Sequence, residues 1–198
     1  MTHYFTDNRS LPQNRKKIEF RVWGFRVCLI SDNGVFSKEK VDFGSELLLK
    51  NLDPSSMQGK VLDVGCGYGT IGLSLKVANV DLEVDMVDVN DRALELVGLG
   101  AIENNVTVNA FKSNMYENVT SKYHSIITNP PIRAGKDVVY GIFEGALDHL
   151  EENGALYVVI RKQQGAESAI RKINEIFGNC TVLDKSKGYY ILKAIKSN

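Results

Sequence analysis

Val61-Leu62-Asp63-Val64-Gly65-Cys66-Gly67-Tyr68-Gly69 decides the fold of this 198-residue chain. Val61, Leu62 and Val64 read as the end of a buried strand, and glycines at 65, 67 and 69 follow at once. Glycine lets a backbone turn tightly and come close to a ligand. Apolar spacing then predicts a helix over Thr70–Ala78. Strand, glycine turn and helix in this order form the unit that binds nucleotide-type cofactors beyond the carboxyl ends of a parallel sheet. A dinucleotide fingerprint reads Gly-x-Gly-x-x-Gly, but counted from Gly65 the sixth position is Thr70, which argues against a dehydrogenase.

Downstream, Glu83-Val84-Asp85-Met86-Val87-Asp88 is a second strand whose last residue lies nineteen positions after Gly69. An acidic residue at that distance accepts from ribose hydroxyls. Asp88 could instead cap the next helix, although Asn90 and Asp91 are better placed to do so. In all, strands are predicted at Lys60–Val64, Leu82–Val87, Val106–Phe111, Tyr123–Thr128 and Ala155–Ile160. Helices are predicted at Asp91–Glu103, Val138–Leu150 and Ala166–Phe177. Such alternation makes a parallel sheet with helices on both faces. Strands Thr181–Asp184 and Tyr189–Ile195 are joined by Lys185-Ser186-Lys187-Gly188, too short for a parallel crossover, so the last strand must run antiparallel.

Upstream, residues 1–17 lack periodicity and end in the basic Arg15-Lys16-Lys17, as expected of a flexible arm. Ile18–Trp23 alternates apolar with polar, and Phe25–Ile30 repeats a β-rich run after Gly24, which predicts a hairpin. Ser31-Asp32-Asn33-Gly34 is a turn, and Ser45 is the expected cap of a helix facing inward through Leu47, Leu48 and Leu52. The expected organisation is therefore an arm (1–17) and one domain (18–198), with a β-rich lead-in over 18–43 and an α/β core over 44–198.

Hydrophobic content of 43% and charged content of 24% are those of a globular chain, and no apolar run approaches the ~20 residues that span a bilayer. Three widely spaced cysteines, Cys28, Cys66 and Cys180, suggest neither a zinc site nor a disulfide framework, and fit a reducing, cytoplasmic setting. The net charge of zero is uneven: +3 over residues 1–50, −6 over 51–120 and +3 over 121–198. Basic flanks around an acidic cofactor-like third permit a polyanionic substrate but do not require one.

The segment that points to chemistry is Asn129-Pro130-Pro131-Ile132, directly after the apolar Ser125-Ile126-Ile127-Thr128. Each proline fixes φ near −65°, so the turn is stiff and offers carbonyls without N–H donors. An Asn side-chain oxygen beside a rigid backbone carbonyl makes a pair of acceptors able to hold an –NH2 group by both hydrogens. As a tripeptide, Asn-Pro-Pro also serves as a plain turn. Downstream of a nucleotide-cofactor unit, it suggests methylation of an amine.

Together these segments resemble class I S-adenosylmethionine-dependent methyltransferases, whose first motif is similar to Leu62–Gly69. More narrowly, the chain resembles the bacterial small-subunit ribosomal RNA guanine-N2 methyltransferases of the small-domain type. The resemblance rests on Asp32-Asn33-Gly34-Val35-Phe36-Ser37, Asp42-Phe43-Gly44-Ser45, the glycine motif, Thr128–Lys136 and Gly188-Tyr189-Tyr190, and it runs from about His3 to Ile195. It implies a Rossmann-like fold: a mostly parallel seven-stranded sheet with an antiparallel last strand, preceded by a short β-hairpin. It implies S-adenosyl-L-methionine as cofactor, ribosomal RNA or the small ribosomal subunit as partner, no metal and no membrane; a monomer fits. Asp63, Gly65, Cys66, Gly67 and Gly69 would line the cofactor's methionine end, Asp88 would take the ribose, and Val89 would pack on adenine. Asn114 stands where the family usually has Asp near the adenine amine, and Phe36, Asp42 and Ser45 would close over the cofactor. Phe36 fits equally well as a core aromatic.

In the implied reaction Asn129, Pro130 and Pro131 are catalytic, with Asn129 also beside the cofactor. Their acceptors pull a planar exocyclic amine toward tetrahedral geometry and aim its lone pair at the methyl group, with no need of a strong base or a metal. Ile132, Arg133 and Lys136 would meet the substrate. Ile132 has no π-face, where adenine and glutamine methyltransferases commonly carry an aromatic residue, so any stacking must come from elsewhere. Arg133, Lys136, Arg161 and Lys162 follow strand ends and suit phosphate contacts or plain solvated charge. His3, His124 and His149 are expected to have no catalytic role. Two other readings stay open: an amine methyltransferase for a different nucleobase or a protein glutamine, and a non-catalytic RNA-binding or ribosome-assembly factor with this fold.

Overall fold

The computed structural model describes residues 13–35, 37 and 39–197. Residues 1–12 of the expected arm, and Phe36, lie outside the described residues. The chain opens with β1 (Lys16–Val22) and β2 (Phe25–Ser31), an antiparallel hairpin in which Lys16 and Lys17 already pair with Ser31 and Ile30. Its two-residue turn has Trp23 at φ 50° and Gly24 at φ 81°. Positive φ at both positions matches the right-handed twist of the strands, which explains how so short a link closes the hairpin.

Then follow α1 (Phe43–Lys50), β3 (Lys60–Val64), α2 (Thr70–Ala78), β4 (Glu83–Asp88), α3 (Asp91–Glu103), β5 (Asn109–Lys112) and β6 (Tyr123–Thr128). The chain continues through α4 (Lys136–His149), β7 (Leu150–Arg161), α5 (Ala166–Phe177), β8 (Thr181–Ser186) and β9 (Tyr189–Ile195). The seven-stranded sheet has the order β5-β4-β3-β6-β7-β9-β8; β9 runs antiparallel to both neighbours and the other pairs are parallel. Strand order reverses between β3 and β6, which puts a crevice beyond the carboxyl ends of β3, β4 and β6.

Side chains alternate along each strand, so two cores form. On one face α1, α2, α3 and the hairpin bury Leu48, Leu73, Met86, Leu96, Val27 and Leu29 with Val61 and Ile127. On the other, α4 and α5 bury Phe143, Ile173 and Phe177 with Leu62, Ile126 and Leu156. The hairpin is docked by a backbone mimic: Asn104 accepts from the Cys28 N–H at 2.9 Å and donates to the Cys28 carbonyl at 2.6 Å. Among the described residues no helix is long and apolar enough to cross a membrane.

Several local expectations shift: β7 begins at Leu150, five residues before Ala155, and β8 runs on through Lys185 and Ser186. The cap of α1 is Asp42, whose carboxylate accepts from the Ser45 N–H at 3.0 Å, and not Ser45 itself. Val106 is not the start of β5, because its N–H bonds back to the Ala101 carbonyl at 3.0 Å and completes the end of α3. α4 begins two residues earlier than its apolar spacing suggested, at Lys136 just after Gly135. Asn90 is the cap of α3, accepting from Arg92 and Ala93, which leaves Asp88 available for another role.

Candidate active site

The glycine loop leaves β3 and is stitched to β4. The N–H groups of Gly65 and Cys66 both donate to the Val87 carbonyl, at 2.9 and 3.0 Å, and the Gly67 N–H donates to Asp88 Oδ2 at 2.9 Å. Gly65 and Gly67 take φ of 71° and 54°, a region closed to most side chains. A Cβ added at Gly67 would meet nothing within 4 Å, so the loop's open side is clear at that point. Gly69 serves packing instead, since a Cβ there would lie 2.8 Å from Leu73 Cδ1 and 3.2 Å from Met86 Cε. Cys66 turns its side chain into the core, where burial pushes the thiol well above its ordinary pKa.

Beneath the loop lies Asp63, 1% exposed. Its Oδ2 accepts from the Gly72 N–H at 2.9 Å, while Oδ1 has no partner among the described residues. Burial pushes the carboxyl up to about 7; the Gly72 N–H opposes the rise and nearby Asp88 adds to it. A buried, unpaired carboxylate oxygen is costly unless it keeps a proton or meets a donor. Asp88 is raised as well, chiefly by burial, though it accepts from Gly67 and from the Asn90 N–H at 2.9 Å. The Val89 N–H also lies within reach of this carboxylate, which can accept about four hydrogen bonds in all.

Beside Asp88 is a small pocket walled by Val64, Gly65, Val89, Asn114, Met115 and Pro131. Asn114 donates to Glu117 Oε1 at 3.0 Å, which leaves its amide oxygen as an acceptor. Ser113 donates to the Met115 carbonyl at 2.9 Å and so shapes the turn that brings Met115 in, where Gly141 on α4 makes room for the sulfur. Nothing in the sequence separates Met115, Val138 and Ile142 of this wall from ordinary core residues. A larger cavity of about 760 Å³ opens at the opposite, amino-terminal edge of the strands, lined by Lys60, Glu83, Asp85 and Asn109. One of its carboxylates, Asp85, is engaged by Tyr123 at 2.7 Å and Asn109 at 3.1 Å, and the cavity shares no lining residue with the pocket beside Asp88.

Asn129 stands at the mouth of the crevice. Thr128 donates to the Val64 carbonyl at 2.9 Å, which locks the end of β6 to the end of β3. The Pro131 ring then sits 3.7 Å from the position of a Cβ on Gly65. The Asn129 amide nitrogen donates to Asp42 Oδ2 at 3.2 Å and to Ser45 Oγ at 3.0 Å. The Asp42 carboxylate can only accept, so it orients the amide nitrogen toward α1 and leaves Oδ1 as an acceptor on the other side. The Pro131 carbonyl is occupied by the Ala134 N–H at 2.9 Å, whereas the Pro130 carbonyl accepts no hydrogen bond among the described residues. The stiff turn thus leaves two acceptors, Asn129 Oδ1 and the Pro130 oxygen.

The segment before α1 is drawn toward the glycine loop: Tyr68 donates to the Ser37 carbonyl at 2.9 Å and Asn90 Nδ2 to the Gly34 carbonyl at 3.3 Å. Ile132 packs partly against the second core, while Arg133 and Lys136 are exposed, Lys136 lying 5.0 Å from the Tyr140 ring. Arg161 ends β7 and Lys162 follows it, with Arg161 4.6 Å from the centre of the Tyr189 ring. His149 stacks on Tyr116 at 4.6 Å and binds the Gly145 carbonyl, remote from Asn129 in role.

The family model for the methyltransferase small domain matches residues 26–193. The chain belongs to the methyltransferase small domain family. Among its relatives, the uncharacterized protein YbxB of Bacillus subtilis (strain 168) is 47% identical over 197 residues, 98% of each chain. The ribosomal RNA small subunit methyltransferase C of Psychromonas ingrahamii is 36% identical over 86% of this chain. The chain spans about half the length of such methyltransferase C relatives, 48% in that case. Among solved structures, the T. thermophilus 16S rRNA N2 methyltransferase RsmC, in complex with AdoMet and guanosine, superposes with a TM-score of 0.85 at 29% identity, covering 94% of this chain and 52% of that one. Small-domain methyltransferase membership agrees with the strand order and with the glycine loop at the switch point.

Proposed function

We propose that the protein is an S-adenosylmethionine-dependent methyltransferase that modifies the exocyclic N2 amine of a guanine in small-subunit ribosomal RNA. The observation that carries this reading is the clamped Asn129: Asp42 and Ser45 take both of its amide hydrogens and leave Oδ1 beside the unoccupied Pro130 carbonyl. Two fixed acceptors and no donor suit an –NH2 group. The names of the methyltransferase C relatives and of the guanosine-bound neighbour favour ribosomal RNA and guanine within that class.

The residues present fit the cofactor. The orphaned Asp63 Oδ1 suits a cationic donor, the clear side of Gly67 admits close approach, and Asp88 can accept from a ribose hydroxyl. Val89, Met115 and Asn114 would meet the adenine, the last through its amide oxygen. When bound, S-adenosylmethionine supplies an electrophilic methyl group on its sulfonium.

Asn129 and Pro130 do the rest. A purine amine is a poor nucleophile because its lone pair is delocalised into the ring. Accepting both N–H hydrogens localises that pair and stabilises the positive charge that grows on nitrogen, so the two bonds strengthen in the transition state. The prolines and α1 hold the acceptors before the substrate arrives; such positioning is worth roughly 7–11 kcal/mol in favourable cases. The nitrogen sheds its extra proton to water once methylated, so no strong base is needed. Guanine N2 is paired inside a duplex, so the base must be unpaired or flipped.

The test is transfer of radiolabelled methyl from S-adenosylmethionine to small ribosomal subunits from a strain lacking this gene, followed by nucleoside analysis. Label in N2-methylguanosine is expected. Label absent from small subunits, large subunits and naked ribosomal RNA alike would remove the ribosomal assignment and turn attention to protein glutamine.

A further inference from the structure

We propose that the Phe43–Tyr189 ring pair, with Arg161 and Lys187 laid over it, is the platform on which the unpaired RNA strand next to the target nucleotide docks. This rests on the reading of the chain as an RNA methyltransferase and names the part of the surface that grips its substrate.

The platform is built into the machinery around Asn129. Phe43 opens α1 and follows Asp42; Tyr189 opens β9, and their ring centres lie 5.5 Å apart at 55°. Tyr189 rests on Gly44 so closely that a Cβ there would sit 2.8 Å from the ring. Asp42 and Ser45, on either side of Phe43-Gly44, are the two residues that hold Asn129. One helical turn therefore places the acceptor for the amine and the aromatic pair side by side. Both rings are partly exposed.

The cations on this edge rest over aromatic rings, as Lys136 and Lys193 do over Tyr140 and Tyr157. Arg161, which pairs in register with Tyr189, has its Cζ 4.6 Å from that ring's centre, and Lys187 Nζ is 4.8 Å from the centre of Phe43. Both are exposed. Neither they nor neighbouring Lys162 and Lys185 have a carboxylate within ion-pair distance among the described residues. By contrast Lys17, Lys60 and Lys112 pair with Glu103, Glu83 and Asp91 at 2.7, 3.7 and 2.8 Å. The nearby carboxylates bond to other groups: Asp184 accepts from Asn51 and from the Lys185 N–H, and Glu167 from the Tyr190 hydroxyl. A guanidinium resting on a ring is held in place without giving its N–H donors to a carboxylate, so they stay available for phosphate. Ring faces and guanidinium planes also take unpaired bases, which a duplex cannot offer.

The test is fluorescence anisotropy with a short labelled single-stranded RNA, free and annealed to its complement. Tyr189→Ala is expected to weaken binding of the single strand about tenfold, with Tyr189→Phe close to the parent protein. Arg161→Ala and Lys187→Ala are each expected to weaken binding and to flatten the slope of log affinity against log salt by about 0.7. Unchanged melting and cofactor affinity certify each variant; should Tyr189→Ala fail to fold, the two exposed cations decide. Equal binding by parent and variants, equal affinity for strand and duplex, or no binding by the parent would each overturn the platform. The two readings fail separately. Methyl transfer to subunits by variants that grip RNA normally would sink the platform alone. Tyr189- and Arg161-dependent RNA binding without methyl transfer to any RNA would sink the methylation reading alone.

Discussion

Replacing Asp42 by alanine separates what this carboxylate does for the fold from what it does for Asn129. Its Oδ2 accepts twice, from the Ser45 N–H at 3.0 Å and from Asn129 Nδ2 at 3.2 Å. Loss of the first removes the cap of α1, worth about 1 kcal/mol. In a domain of this size that lowers Tm by about 2–4 °C. Loss of the second frees one hydrogen of the Asn129 amide, leaving only Ser45 to hold it. A hydrogen bond to a charged group contributes about 1.5–3 kcal/mol, and a flipped amide would present donors to the substrate's donors. Converted at 1.4 kcal/mol per decade, kcat should fall about 10- to 150-fold, while cofactor affinity stays near that of the parent. Asp42→Asn keeps an oxygen for the cap and a neutral acceptor for Asn129, so its melting should match the parent and most of the activity should return. Single-turnover methyl transfer, calorimetric cofactor binding and thermal melting read the three quantities. A destabilised Asp42→Ala protein with unchanged kcat would refute the clamp, leaving Asp42 as a helix cap and nothing more.

Asn129→Ala should abolish turnover with cofactor affinity largely unchanged; a large loss of cofactor binding, read by calorimetry, would contradict its assignment to the amine. Asp63 imposes a pH dependence on stability. Its carboxyl is raised to about 7 in the fold against 3.8 unfolded, so between these values the folded chain holds more protons than the unfolded one. Stability should therefore fall as pH rises from about 4 to about 7, by up to roughly 4 kcal/mol at 1.36 kcal/mol per unit, and level off above. Asp63→Asn should flatten that slope in urea melts, and an unchanged slope would refute the assignment. Asn104→Ala should release the hairpin by removing both bonds to Cys28, at a cost of about 1–3 kcal/mol for each backbone group left unpaired, seen as faster amide exchange in β2 than in β4.

Most of the architecture was legible from residues 44 to 198 because parallel strands and their helices announce themselves locally. Val61–Gly69 carries its own turn geometry, and β8 to β9 is too short a connection for any pairing but antiparallel. The same local logic gave the stiff Asn129-Pro130-Pro131 turn and the acceptor at Asp88. Errors came where a residue had two possible partners. Ser45 has the right chemistry for a cap, but Asp42 is three residues earlier and takes its N–H. Val106 has a strand former's side chain, yet its N–H closes α3.

Pairings between segments far apart in the chain come from the folded state. Asp42 and Ser45 meet Asn129 across more than eighty residues, and no local pattern orients an amide whose two ends differ only in what they bond to. The same holds for Asp63 Oδ1, left unpartnered by the packing of α2 over β3, and for Tyr189, brought onto Phe43 by the antiparallel return of β9. Local sequence dictates where the chain turns, which faces are apolar and which residue types stand at the strand ends. Which of their hydrogen-bonding atoms are occupied, and which are left for a substrate, depends on close packing between elements, and that is a property of the folded molecule alone.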